Sequence, residues 1–395
     1  MSVRAPSAFP HTVVVVGSGI VGAATAYFLA KQGVEVRLIE AVAPAAEATG
    51  AADGAVSVAS KRPGPMMAAA LSGVRLYREL AEAGLFSGLF KSRSTFIVAA
   101  SEAECSVLQT HAAALSAAGV RVDLLSQAMV RQRMPAVSGR ALMAVEVHDE
   151  GHAIGYQIVH RLLTAAGIVV QRRTMVEGIL SGARANVVRG VMTQHGPVEG
   201  DAVVVAAGTG SGRLLGLSDV LMPRKGQLLV TERAPELNAG LPGAIMSGRY
   251  LLSKGSQGGG QGAPARGLGL VIDPLRTGQF LIGGTREDHG DRLTNDVGAV
   301  AQILRDAVAL LPGLAHVRLL RSFAGNRTAV ADGLPLIGRV SGCDNLYVAT
   351  GFEGDGICLG PLTGKAVADL VCGREPSFDL RPFDPARFGV REVAA

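Results

Sequence analysis

Two glycine-rich stretches at opposite ends of the chain hold the residues with the clearest chemical potential: VVVVGSGIVGAATAYFLA (13–30) and VATGFEGDGICLGPLTGK (348–365). In the first, Gly17, Gly19 and Gly22 have the spacing G-x-G-x-x-G, and Glu40 follows about twenty residues later. The first glycine of such a turn permits the bend, the second lets backbone approach a pyrophosphate, and the third lets a helix pack on a strand. The start of that helix supplies unpaired N–H donors and a partial positive charge for phosphate. A carboxylate at position 40 can accept hydrogen bonds from a ribose. This turn describes a dinucleotide site.

NAD and FAD both satisfy that turn, and the second stretch separates them. A flavin is a large ring system that needs cover and electrostatic tuning far from its adenosine, and negative charge develops at its N1 and O2 edge on reduction. A later strand-to-helix turn can place N–H groups and a helix dipole there. Gly351, Gly354, Gly356 and Ile357, ahead of a helix expected over Leu362–Leu370, are assigned that role.

The elements that position these turns can be read from periodicity. Thr12–Val16 is a β-branched run, Gly22–Gln32 an Ala-rich helix and Val34–Glu40 a second strand, making a βαβ unit. Helices follow over Met66–Ala83, over SEAECSVLQTHAAALSAAG with a Ser cap and a Gly stop, and over GYQIVHRLLTAAG. Three short β segments are expected between Ile168 and Val198, and DAVVVAAGTGS returns as a fully apolar strand suited to a central parallel position. From KGQLLVTER to GQFLIGGTRE the pattern is mostly strand, interrupted by the low-complexity segment KGSQGGGQGAPARGLG, which suits a hairpin tip or loop. NDVGAVAQILRDAVALLPGL is a further helix, and NLYVAT leads into the second turn. The fold class is α/β plus α+β: a discontinuous Rossmann-like nucleotide domain (1–90, 150–215 and 325–395) with a mainly antiparallel-sheet substrate or interface domain (91–149 and 216–324).

Composition narrows the function classes. The formal charge of +5 and pI near 9.2 come with basic residues in pairs at most, 4% aromatics and no Trp, which argues against nucleic acid. Cys105, Cys343, Cys358 and Cys372 form no C-x-x-C pair, and reduced thiols in the cytoplasm are expected. Val13–Ala30 is uncharged, yet its glycines have phosphate-loop spacing, so no transmembrane segment is expected. His111, His148, His152 and His160 make no ligand cluster, and no metal is expected; spacing does not support His152 or Asp149 as a catalytic base. Lys61 and Arg62 are expected to be solvated.

The first turn together with VVVAAGTGSG, RKGQLLVTE, FAGNRTAVADGLPLIG and GFEGDGICLGPLTGK resembles the D-amino-acid oxidase-like family of FAD-dependent amine oxidoreductases, over Val13 to Gly373. Within it, SKRPGPMMAAAL and FEGDGI are most similar to the β subunits of D-hydroxyproline dehydrogenase and of octopine or nopaline (opine) oxidases. The resemblance implies noncovalent FAD held by Gly17, Ser18, Gly19, Ile20, Val21, Gly22, Glu40, Ala41, Thr49, Gly54, Val176, Gly208, Gly351, Phe352, Gly354, Asp355, Gly356 and Ile357. It implies that Arg327 grips a substrate carboxylate, with Tyr250 and Arg249 near the flavin. Glycine oxidase-like members carry His-Phe-Arg where this chain has Phe352, Glu353 and Gly354, so a second arginine is missing. The implied reaction is hydride transfer from the C–N carbon of a D-amino acid, secondary amine or opine to flavin N5. It also implies an α flavoprotein and a small iron–sulfur subunit as partners, through which the chain could be peripheral to the membrane. Two alternatives stay open: a self-sufficient glycine- or sarcosine-type oxidase releasing peroxide, and a non-catalytic electron-transfer subunit.

Overall fold

The computed structural model describes residues 9–255 and 267–389. Most of the low-complexity segment (256–266) lies outside the described residues, and so does any role for it.

A six-stranded sheet carries both glycine-rich turns. Its order is Leu336–Arg339, Leu346–Thr350, Ala202–Val205, Thr12–Val16, Glu35–Ile39 and Val170–Gln171, and every pairing is parallel except the first. Val13, Val14, Val15, Val203, Val204 and Val205 are buried, as a strand covered on both faces requires. Strands from both ends of the chain therefore lie within one sheet, separated only by the return strand Ala202–Val205.

The helices that leave the two turns cross closely. One spans Ile20–Lys31, the other Gly356–Val371. A Cβ on Gly360 would stand 2.7 Å from the Ile20 side chain, and one on Gly364 would stand 2.5 Å from the Thr25 backbone nitrogen. Small residues at these two positions let the helices approach and bring the turns to one side of the sheet. The second helix begins at Gly356, six residues before the expected Leu362. Its interior Pro361, a helix breaker by rule, hid that start.

A nine-stranded sheet, antiparallel except where Gly243–Ser247 runs parallel to Phe90–Ala99, forms the second layer. A separate three-stranded sheet of Val176–Ser181, Val188–Thr193 and Gly196–Glu199 shares a buried core with Val14, Val16 and Val203 of the six-stranded sheet; with Val170–Gln171 it gives four short strands where three were expected. Strands Phe90–Ala99, Met143–Ala153 and Leu319–Val330 run across the expected boundaries near 90, 149 and 324. We retain the two-domain division as a proposal. No described helix is long and apolar enough to cross a membrane.

Candidate active site

The first turn is shaped by contacts that only glycine permits. Gly17 has φ +98°, and a Cβ there would meet the Ala206 carbonyl oxygen at 2.5 Å. A Cβ on Gly22 would lie 1.9 Å from the Gly17 carbonyl oxygen, so the third glycine is required by the turn itself. Glu40 accepts from the Ser18 backbone N–H and hydroxyl, both at 2.8 Å, and from the Val42 N–H at 2.9 Å. These bonds fix its carboxylate beside the turn. The Ile20 N–H, one of the orphan donors of the helix start, reaches the Thr49 hydroxyl at 3.0 Å. Gly17, Gly19, Ile20, Val21, Glu40, Ala41, Thr49, Val176 and Gly208 line one cleft of about 510 Å³. Ser18, Gly22 and Gly54 stand behind its wall: Gly54, at φ +87°, is pressed against the Ala153 carbonyl and His152.

The same cleft is lined by Gly351, Phe352, Glu353, Gly354, Asp355, Gly356 and Ile357. Gly351 has φ +85°, and its missing Cβ would lie 2.3 Å from the Val330 side chain. Asp355, the residue before the helix, is paired with Lys61. Contrary to the solvated position expected for it, Lys61 is buried; burial alone would lower its pKa, but Asp355 outweighs this and raises it. Arg62 is exposed, as expected. Pro361 cannot donate to the Ile357 carbonyl four residues back, and the Tyr77 hydroxyl donates to that carbonyl at 2.8 Å instead. The second turn is thus tied to the segment 61–77 at both Asp355 and Ile357.

The far wall comes from the large sheet. Arg327, on the strand Leu319–Val330, lies opposite Arg224 on Leu221–Thr231, lines the cleft and donates to the Thr285 carbonyl at 3.0 Å. Its guanidinium passes directly over Gly226, where a Cβ would fall 2.4 Å from Nη2. Arg286 and Glu353 line the same cleft and are ion-paired, and Arg224 reaches Glu353 at 3.1 Å. Burial pushes the Glu353 carboxyl up, but Arg286 and Arg224 outweigh it and hold it below the usual carboxylate range. Sequence reading missed Arg286 altogether and saw Glu353 only as a substitution; GGTRE ends a strand that faces this cleft, and nothing in its spacing marks the arginine.

Tyr250 lines the cleft with its ring against Gly269, but from the short helix Arg249–Gly255, not from a β run. Arg249, expected beside it at the flavin, is exposed and turned toward Asp306 at 3.9 Å, outside the cleft lining. Consecutive residues on a helix point about 100° apart, so one position cannot bring both inward.

Other reactive groups are engaged elsewhere. His152 bonds the Asp53 carbonyl at 2.9 Å, and burial together with Arg93 pushes its imidazole down to about 4. Asp149 is exposed between Arg78 and Arg121. Asp123, Glu146 and His148 lie close enough to share an ion, but Arg133 grips Glu146 at 2.8 and 3.0 Å, and His148 bonds Asp123 at 2.7 Å. Cys358 is buried against the Ala70 carbonyl, with its thiol pushed up to about 12 by burial.

The geometry fits FAD: a glycine cradle at a helix start and a second glycine turn line the same cleft. A family model described as FAD dependent oxidoreductase matches residues 12–370. The chain belongs to this family. A glycine oxidase from Pseudomonas aeruginosa is 30% identical over 95% of this chain and 98% of its own length. One from Geobacillus kaustophilus is 29% identical over 95% of this chain and 97% of its own. The crystal structure of glycine oxidase from Geobacillus kaustophilus superposes with a TM-score of 0.82 at 26% identity, covering 97% of this chain and 100% of that one. As an FAD-dependent oxidoreductase the chain takes FAD as its cofactor, and its fold is the one expected. The finer resemblance to D-hydroxyproline dehydrogenase and opine oxidase subunits goes beyond these similarities, which are to glycine oxidases.

Proposed function

We propose that this FAD-dependent amine oxidoreductase oxidises the C–N bond of a small amino acid or secondary amine of the glycine or sarcosine type, with oxygen as acceptor. The observation that carries the reading is Arg327, a half-buried guanidinium lining the same cleft as both glycine turns. A planar guanidinium suits a carboxylate gripped by two parallel hydrogen bonds.

In this reading Gly17 to Gly22 would hold the pyrophosphate, Glu40 and Ala41 the ribose, Val176 the adenine, and Gly351 to Ile357 the ring. When bound, FAD accepts the hydride from the substrate carbon. Arg327 holds the carboxylate and so fixes which C–H faces the ring, and Tyr250 closes the cleft against water. The amine enters neutral, having lost its proton to solvent, and the resulting imine takes up water to give a carbonyl and the free amine. No side-chain base is required, which agrees with His152 bonded to the Asp53 carbonyl outside the cleft lining. Orientation supplies most of the acceleration.

The test is peroxide release in air by the purified chain given glycine, sarcosine or D-proline. One peroxide per amine oxidised is expected. A flavin that these amines bleach without oxygen, but that yields no peroxide in air, would instead favour the second reading. That reading is a catalytic dehydrogenase subunit for D-hydroxyproline or an opine, handing electrons to an α flavoprotein and a small iron–sulfur partner. It is supported by SKRPGPMMAAAL and FEGDGI, the two motifs joined through Lys61 and Asp355.

A further inference from the structure

Glu353 has no part in the reaction described above, yet it sits in the cleft wall between two arginines. Its backbone is in the left-handed region at φ +46°, and its N–H bonds the Thr328 carbonyl at 2.8 Å. That strand also carries Arg327. Its carboxylate pairs with Arg286, which lines the cleft, and with Arg224 behind it. Arg224 is also paired at 2.5 Å with Asp288, on the outer side. Three guanidinium groups against two carboxylates leave a single positive charge; Arg327 hydrogen-bonds a backbone carbonyl, and its charge acts on Glu353 after those of Arg286 and Arg224.

We propose that Glu353 is a built-in counter-ion that fills the second carboxylate position of this arginine cluster and restricts the substrate to amines bearing one carboxylate. The inference rests on the amine-oxidation reading and deepens it. A monocarboxylate placed on Arg327 neutralises the cluster. A second carboxylate on the same substrate meets Glu353 already seated on Arg286, and like charges in a partly desolvated wall repel strongly. The site therefore selects glycine, sarcosine and cyclic amino acids over iminodiacetate, by repulsion as much as by attraction. Such discrimination is set by one residue, so it can be moved.

The experiment uses the FAD-loaded protein without oxygen and follows flavin bleaching. The limiting rate divided by the half-saturating concentration is compared for sarcosine and D-proline against iminodiacetate. Wild-type protein is expected to favour the monocarboxylates. Glu353→Gln, similar in shape but uncharged, should shift the ratio toward the dicarboxylates by at least about tenfold, while Glu353→Asp should keep the wild-type preference. A wild-type protein that takes dicarboxylates as well as monocarboxylates overturns the proposal without need of a variant. An unchanged ratio in a Glu353→Gln protein that retains FAD overturns it too. In both cases the flavin is still reduced, so amine oxidation stands. If no amine of either class bleaches the flavin, the oxidation reading fails and this proposal falls with it.

Discussion

Gly226 gives an indirect handle on Arg327. A Cβ added there would stand 2.4, 2.6 and 2.7 Å from Nη2, Cζ and Nη1 of the guanidinium, and ordinary contact begins at 3.4 Å. In Gly226→Ala the fork must therefore retreat by about 1 Å, the difference between 3.4 and 2.4 Å. Because the crowded group is the end of a flexible side chain, the sheet itself has little reason to distort. A displacement of that size can cost about a hundredfold in a positioned contact, roughly 3 kcal/mol. Full removal in Arg327→Ala should cost on the order of 2–5 kcal/mol, and Arg327→Lys should recover little, since one ammonium cannot replace the fork. The assay is anaerobic flavin bleaching against sarcosine concentration, with FAD content measured on each variant. Gly226→Ala should keep FAD, raise the half-saturating concentration about a hundredfold and, in an Arg327→Ala background, add almost nothing. An unchanged half-saturation point in Gly226→Ala would refute the reasoning, and so would an equal loss with and without Arg327.

Three further outcomes follow from the same geometry. Gly19→Val should abolish FAD retention, because even a Cβ at Gly19 lies 3.2 Å from the Thr49 hydroxyl and the extra methyls would occupy the phosphate approach; flavin absorbance per protein after gel filtration reads this. Tyr77→Phe should lower the unfolding free energy by about 1–3 kcal/mol in denaturant titration, since it strips the donor from a buried carbonyl that Pro361 already leaves unpaired. His152 has a folded-state pKa of about 4 against an ordinary 6.5, so the unfolded chain binds the proton first; stability is complete above 6.5 and is lost as pH falls toward 4. That loss is on the order of 3 kcal/mol, and His152→Asn should flatten this part of the melting-temperature profile.

The parts legible in the sequence were those set by local backbone demands. Gly17 is fixed by its own φ of +98° and Gly22 by the Gly17 carbonyl within the same turn, and the apolar runs 13–16 and 202–205 by burial on both faces, so spacing and composition sufficed. What could not be read were contacts between segments distant in the chain. Lys61 looks like a solvated cation until Asp355, 294 positions later, is brought beside it. Arg286 and Glu353 meet only because the strand Phe280–Arg286 of the large sheet ends where the second turn passes. Arg249 and Tyr250 fell together in a run that reads as strand but folds as a helical turn, and only the tyrosine reaches the cleft.

The central claim is that one cleft holds FAD and an amine carboxylate together, with Arg327 joining them. The most direct measurement is anaerobic reduction of the purified FAD-loaded chain, alone, by sarcosine, followed as loss of the long-wavelength flavin absorbance in wild type and Arg327→Ala. The account predicts complete bleaching of the wild-type flavin with saturable dependence on amine. In Arg327→Ala, equally loaded with FAD, it predicts a half-saturating concentration raised roughly thirty-fold or more. A flavin that neither glycine, sarcosine nor D-proline bleaches, or an Arg327→Ala protein bleached at the wild-type concentration, would contradict it.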